Sequence, residues 1–238
     1  MDRARFYAHL RSAKAKAFGK SLSKGQVDGL ERILDEAQKR GVNIFQLAYI
    51  LATAYLESGR TMQPVREFGG EKYLRSKPYY PWVGEGLVQV TWEVNHRKFG
   101  ATKPGQLMTW PIALRALFDG MLQGMFTGKR LSDYIDPPHV DYVGARRVVN
   151  GTDRAHQIAE YAMSFETALR EAGYLGQAPK PKPAVPERVS TVPTTPLDPD
   201  GNPPSREAPP KPKPAPVAKR GFLSGVVDVL LVLFRGWR

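Results

Sequence analysis

The chain has 238 residues, with 35 Lys and Arg against 23 Asp and Glu, a formal net charge of +12, and no cysteine. That length suits one ordinary domain plus extra segments, and the lack of cysteine excludes disulfides, thiolate metal sites and cysteine nucleophiles. The basic excess suits a polyanion, whether nucleic acid, anionic lipid or an acidic wall polymer, and does not choose among them.

The opening stretch MDRARFYAHLRSAKAKAFGK is charged and holds no apolar core before a small-residue cleavage site, so no secretory signal is expected. A first clear helix follows Ser23, with Val27, Leu30 and Leu34 at i, i+3 and i+7 and Gly41 as its stop. Asn43 is placed to cap a second helix whose apolar face uses Ile44, Leu47, Leu51 and Ala54. The run WVGEGLVQVT, Trp82 to Thr91, reads as either a short strand or a loop. Thr109 precedes Trp110-Pro111, a proline suited to a first helical turn, and Leu114, Leu117, Met121 and Met125 continue that helix. Thr152 is the expected cap of a last helix through Ile158, Tyr161, Phe165 and Leu169. No stretch alternates long enough to require a large sheet, so the fold class expected is mainly α.

Proline sets the boundary beyond this domain. Between Pro179 and Pro216, 14 of 38 residues are proline, a composition that cannot bury enough apolar surface to offset chain entropy. The expected organisation is a folded domain over 1–175, a Pro/Lys-rich linker over 176–218 and a basic-flanked apolar tail over 219–238. The linker is read as a semi-rigid spacer, with a ligand for proline-binding modules as the lesser use. Phe222 to Phe234 is apolar apart from Ser224, Gly225 and Asp228. At 13 residues it is short of the roughly 20 needed to span a bilayer. Lys219, Arg220, Arg235, Trp237 and Arg238 flank it, which suits membrane contact through residues 221–238; docking on the domain or a partner is the alternative.

The residues available for chemistry are carboxylates, hydroxyls and four histidines, His9, His96, His139 and His156. The histidines show no metal-binding spacing, and neither a GxSxG elbow nor a phosphate loop occurs, so no metal and no cofactor are expected. The informative stretch is AYLESGRTMQPVREFGG. Glu57 closes an apolar helix, where apolar walls favour the protonated acid. Glu67 stands in a more polar, loop-like setting between Arg66 and Phe68-Gly69-Gly70, suited to an ionised base. Two carboxyls in contrasting settings suit hydrolysis of a glycosidic bond, although a glutamate at a helix end is more often a solvated surface group. Gln89, Thr91, Asn95 and Asn150 are able to hydrogen-bond sugar hydroxyls or amides. Tyr79, Tyr80, Trp82 and Trp92 offer flat faces to sugar rings, with core packing as the commoner fate of such residues.

The segments SLSKGQVDGLERIL, LAYILATAYLESGRTMQPVREFG, GEGLVQVTWEVNHRKFG, GMFTGKRLSDY and VGARRVVNGTDRAHQIAEYAMSFETAL resemble, in order, family 19 glycoside hydrolases, and more closely the chitinase-like endolysins of bacteriophages and prophages. The resemblance covers about residues 5–172. It implies a two-lobed, lysozyme-like helical domain with a cleft, acting by a single inverting displacement without metal or cofactor. Glu57 matches the general acid, Glu67 the general base, and Thr91 the residue that helps hold the attacking water. Gln89, Asn95, Asn150 and Arg154 match sugar-binding positions, with Tyr80 and Trp92 as candidate sugar platforms.

Two departures stand out. Leu56 occupies a position where the family commonly has histidine, and Gly84-Glu85-Gly86 replaces Gly-Arg-Gly. A third carboxylate near Glu57 would help keep it protonated, and reversal of that charge is expected to alter substrate binding. The expected function is therefore an endolysin that hydrolyses β-1,4 bonds of peptidoglycan during host lysis. The expected partners are peptidoglycan glycan strands and, through the tail, anionic membrane lipid, with no nucleic acid; a monomer is expected. Without a signal it would be made in the bacterial cytoplasm and reach the cell wall or periplasm after the membrane is breached. A virion component that processes the wall during entry is a variant of this reading. A chitinase is the nearest alternative, and a non-catalytic wall- or membrane-binding protein on a decayed hydrolase scaffold is the alternative of another class.

Overall fold

A computed structural model of the chain describes residues 1–176; the remainder of the expected linker and the whole expected tail lie outside the described residues. The described part is mainly helical. Helix α1 (Arg3–Leu10) is capped by the Asp2 carboxylate, which accepts from the Arg5 N–H. Helix α2 (Lys24–Arg40) opens on a reciprocal capping box between Ser23 and Gln26 and ends at Gly41, whose φ of 64° is cheap only without a Cβ.

Helix α3 (Ile44–Glu57) is capped by Asn43, and every residue from Leu47 to Glu57 is buried. A helix apolar around most of its circumference belongs at the centre of a domain, and α3 is the central helix here. It packs most extensively on α7 (Ala155–Glu171), which also holds α1. Phe18, Tyr55, Tyr161 and Phe165 form an edge-to-face aromatic cluster at this junction. Full burial of Leu47, Ile50 and Leu51 contributes about 1.5–3 kcal/mol each.

Beyond α3 the chain makes smaller elements. Strand β1 (Val65–Arg66) pairs antiparallel with β2 (Glu85–Gly86), in the register Val65 to Gly86 and Arg66 to Glu85. Helix α4 (Glu71–Arg75) lies between these strands in sequence, and α5 (Glu93–Lys98) follows them. Helix α6 (Trp110–Leu122) starts after Thr109 with Pro111 in its first turn, as the sequence indicates. Strands β3 (Ile135–Asp136) and β4 (His139–Val140) form a second short hairpin. A 3-10 turn over Gly144–Val148 leads toward α7.

Two local expectations need correction. Thr152 does not cap the last helix through its side chain; Arg154, at φ 56°, turns the chain immediately before α7 begins at Ala155. The segment Trp82–Thr91 is mostly loop. Only Glu85 and Gly86 are strand, and Val90 closes back on Glu85 through two backbone hydrogen bonds. Among the described residues no helix is long and apolar enough to cross a membrane.

Candidate active site

Glu57 is the last residue of α3 and only 2% exposed. Its Oε1 accepts from Nη1 of Arg146 at 2.8 Å, and Arg146 is itself fully buried. The guanidinium comes from the 3-10 turn 89 residues away, and its Nε donates to the Asp153 carbonyl at 2.9 Å. The walls around Glu57 are therefore not wholly apolar, contrary to the sequence reading. The apolar surroundings contributed by Leu56 come with an adjoining positive charge. Tyr49 and Thr53 precede Glu57 at intervals of four, so all three share one face of α3. Burial pushes the Tyr49 hydroxyl well above its usual range, with the Arg146 charge opposing that shift and Glu57 adding to it.

Glu67 follows β1 in the loop-like, polar setting the sequence indicates, yet it is only 3% exposed. Oε1 accepts from the Tyr79 hydroxyl at 2.8 Å and Oε2 accepts from the Gly84 N–H at 3.0 Å. The Glu67 N–H in turn donates to the Gly84 carbonyl, continuing the β1–β2 pairing. Gly84, immediately before β2, thus holds both the main-chain N–H and one carboxylate oxygen of Glu67. Burial and the adjacent carboxylate push the Tyr79 hydroxyl far up, so it remains a donor throughout the neutral and alkaline range.

A Cβ on Gly84 would lie 2.8 Å from Gln89 Oε1 and 3.5 Å from Glu67 Oε2. Only a residue without a side chain lets Glu67 and Gln89 converge there. Gln89, at φ 51°, donates from Nε2 to the Val65 carbonyl at 2.9 Å, while its buried Oε1 has no protein partner. The buried Thr91 hydroxyl donates to the Gln89 carbonyl at 3.2 Å, and Asn95 Nδ2 donates to the Thr91 carbonyl at 2.9 Å. Trp92, 41% exposed and at φ 74°, lies edge-on to Tyr79 with ring centroids 5.5 Å apart.

The sequence-derived residues fall into two connected groups. Glu67, Gln89, Thr91, Asn95 and Trp92 form one, joined through Tyr79 and Gly84. Glu57 forms the other with Arg146, whose carbonyl accepts the Asn150 N–H at 2.9 Å. Asn150 is 7% exposed, and its Nδ2 is buried without a protein partner. Arg154 adjoins this group, following Asp153 and reaching its carboxylate at 4.0 Å. Tyr80 belongs to neither. Its hydroxyl donates to Glu71 at 2.9 Å, and Arg75 lies over its ring. Glu85, expected near the cleft, is buried with Oε1 accepting from the Gly105 N–H at 2.7 Å.

The link between the two glutamates is itself constrained. Arg60 and Met62 have φ values of 69° and 56°, a left-handed geometry costing roughly 1–2 kcal/mol per non-glycine residue. Gln26 holds this turn against α2 by donating to the Arg60 carbonyl at 2.9 Å, and Ser58 Oγ accepts the Met62 N–H at 3.0 Å.

Sequence reasoning missed Arg146 and assigned Tyr79 only a stacking role. A signal for Arg146 was present, since it interrupts the apolar run VGARRVV and Tyr49, Thr53 and Glu57 present polar groups at four-residue spacing. Among the described residues, no group of three or more His, Asp or Glu side chains is gathered as metal ligands would be. In comparisons with known proteins, the chain matches no family model, no curated protein and no solved structure.

Proposed function

We propose that the domain is a glycoside hydrolase that cuts β-1,4 bonds of bacterial peptidoglycan by inversion, in a two-lobed, lysozyme-like helical fold with the substrate in its cleft. The observation that carries this reading is that two glutamates ten residues apart are both almost fully buried, each gripped at defined oxygens by a donor from a distant segment. Buried glutamates are uncommon without such partners, and a strained, braced turn joining them is a feature of functional sites.

In this reading Glu57 is the general acid. Arg146 binds Oε1 and orients the carboxyl, leaving Oε2 to take up a proton and deliver it to the leaving glycosidic oxygen. Glu67 is the general base. Tyr79 and the Gly84 N–H hold its two oxygens and fix its plane, and it takes a proton from water attacking the opposite face of the sugar. Thr91 accepts a hydrogen bond from that water, its own hydroxyl proton being directed at the Gln89 carbonyl. The unpartnered Gln89 Oε1 and Asn150 Nδ2 are matched to an N-acetyl amide or sugar hydroxyl, since buried polar atoms otherwise carry a desolvation penalty of about 1–3 kcal/mol. Trp92 supplies an exposed ring face. Inversion requires the two carboxyls to stand about 6.5–9.5 Å apart so that water fits between base and sugar.

The test is mass spectrometry of purified peptidoglycan after treatment with the full chain, Glu57→Gln and Glu67→Gln. New reducing ends from the wild type alone support the reading, and the terminal sugar names the bond. Absence of cleavage by the wild type overturns it. Cleavage of N-acetylglucosamine oligomers in place of peptidoglycan would make the enzyme a chitinase.

A further inference from the structure

The loop that holds Glu67 carries a third buried carboxylate, one that the mechanism does not use. Glu85 is 1% exposed; Oε1 accepts the Gly105 N–H, whereas Oε2 has no hydrogen-bond partner. Nδ1 of the fully buried His96 lies 3.9 Å from Oε2 and is likewise unpartnered. The other nitrogen of that ring fixes the chemistry. His96 Nε2 lies 2.8 Å from the Val90 carbonyl and 3.1 Å from the Val83 carbonyl. Carbonyls only accept, so Nε2 carries a proton and, in a neutral ring, Nδ1 is a bare acceptor. Two buried acceptors therefore lie 3.9 Å apart, and one proton between them would satisfy both.

The position of this pair gives it leverage. His96 joins both ends of the loop, Val83 and Val90, while Glu85 ties its middle to Gly105. Gly84, between Val83 and Glu85, supplies the N–H and C=O that hold Glu67. Trp82 packs edge-on against the imidazole at 5.2 Å, with the Arg97 guanidinium over the indole at 5.9 Å. The neighbouring strand brings one charge to bear on Glu85, that of Arg66, opposite it in the hairpin register.

We infer that Glu85 and His96 share a single proton and act together as positioning residues, clamping the 83–91 loop so that Gly84 presents its N–H to Glu67. The proton-sharing itself does not depend on the hydrolase reading; only its consequence for turnover does. With the proton in place, an approach of about 1 Å from the observed 3.9 Å lets the carboxylic acid donate to Nδ1. When it is lost, a carboxylate faces a lone pair and the loop loosens. When a second proton enters, a buried imidazolium forms and Nδ1–H meets an uncharged acid.

Burial raises the Glu85 carboxyl above the usual carboxylate range, against the opposing backbone N–H groups of Gly105 and Leu107. Burial also lowers His96 below the usual imidazole range, against the Val90 and Val83 carbonyls. A raised acid stabilises the fold at low pH and loses that contribution as pH rises through its folded value. A lowered imidazole contributes stability at higher pH, and this is lost as pH falls from about 6.5 through its depressed value. The pair thus sets an alkaline limb through Glu85 and an acid limb through His96.

Glu85→Gln is the decisive variant, because its carbonyl still accepts from Gly105 while its amide donates permanently to Nδ1. Nitrogen-15 NMR of the wild-type full chain should show His96 Nδ1 and the Gly84 amide moving with one midpoint, matched by the alkaline fall in Tm. In E85Q the Nδ1 movement, the matching movement of the Gly84 amide and the alkaline fall in Tm should vanish. A Tm–pH curve unchanged in E85Q, or a His96 Nδ1 that does not move with pH in the wild type, would overturn the shared proton. A Gly84 amide that ignores the pair's titration would overturn the positioning role. Where the wild type cleaves glycan, E85Q should also lose the alkaline limb of kcat with KM unchanged. A wild type without cleavage defeats the hydrolase reading alone, since the NMR and Tm results stand apart from it.

Discussion

Replacing Arg146 with methionine should be the most damaging single change to stability at the Glu57 end of the site. Arg146 is fully buried and Glu57 is 2% exposed, with Nη1 and Oε1 2.8 Å apart. Methionine fills much of the volume but leaves the Glu57 carboxyl without its cation and the Asp153 carbonyl without its donor. Removing one partner of a buried ion pair costs about 3–5 kcal/mol, because the other is stranded. Against a total stability of roughly 5–15 kcal/mol, that is a large share. At about 2–4 °C per kcal/mol for a domain of this size, Tm should fall by about 6–20 °C. Urea unfolding at pH 7, followed by circular dichroism, should show the midpoint falling with the slope m unchanged. Adding Glu57→Leu should restore most of the loss, since apolar replacement of a whole buried pair is often neutral or stabilising. A loss under about 1 kcal/mol for Arg146→Met alone, or a double variant no better than the single one, would refute the account of this pair.

Further outcomes follow from the other contacts. Tyr79→Phe removes the hydroxyl at 2.8 Å from Glu67 and should lower kcat about tenfold with KM little changed, consistent with losing one hydrogen bond to a charged group of about 1.5–3 kcal/mol. Gly84→Ala places a Cβ 2.8 Å from Gln89 Oε1 and should lower activity more than stability, measured by glycan release beside thermal melting. Trp92→Ala, at an exposed position, should change stability by no more than about 0.5 kcal/mol while raising KM for glycan. The full chain should leak dye from anionic vesicles more than a version lacking residues 221–238; equal leakage would remove membrane contact by the tail.

The helices were legible where caps and apolar spacing agreed. Ser23, Asn43 and Thr109 mark their helix starts, and Gly41 a helix end, because each signal is local in sequence. Helices α1, α4 and α5 were not anticipated: at eight residues or fewer they are too short for a strong period and take their stability from packing. The candidate glutamates stood out by spacing and resemblance, but their surroundings did not. Arg146 reaches Glu57 across 89 residues and Tyr79 reaches Glu67 across 12, and neither contact leaves a periodic trace. Glu85 shows the same limit. Its charge suggested a place near the cleft, but no local pattern marks its contacts with Gly105 and His96.

The central claim is that Glu57 and Glu67 act as acid and base in one inverting displacement. Proton NMR of the first product formed from a soluble β-1,4 peptidoglycan or chitin oligomer tests it most directly. The account predicts that the α-anomer appears first and later mutarotates, and that neither Glu57→Gln nor Glu67→Gln forms it. Initial appearance of the β-anomer, or full turnover by either variant, would contradict it.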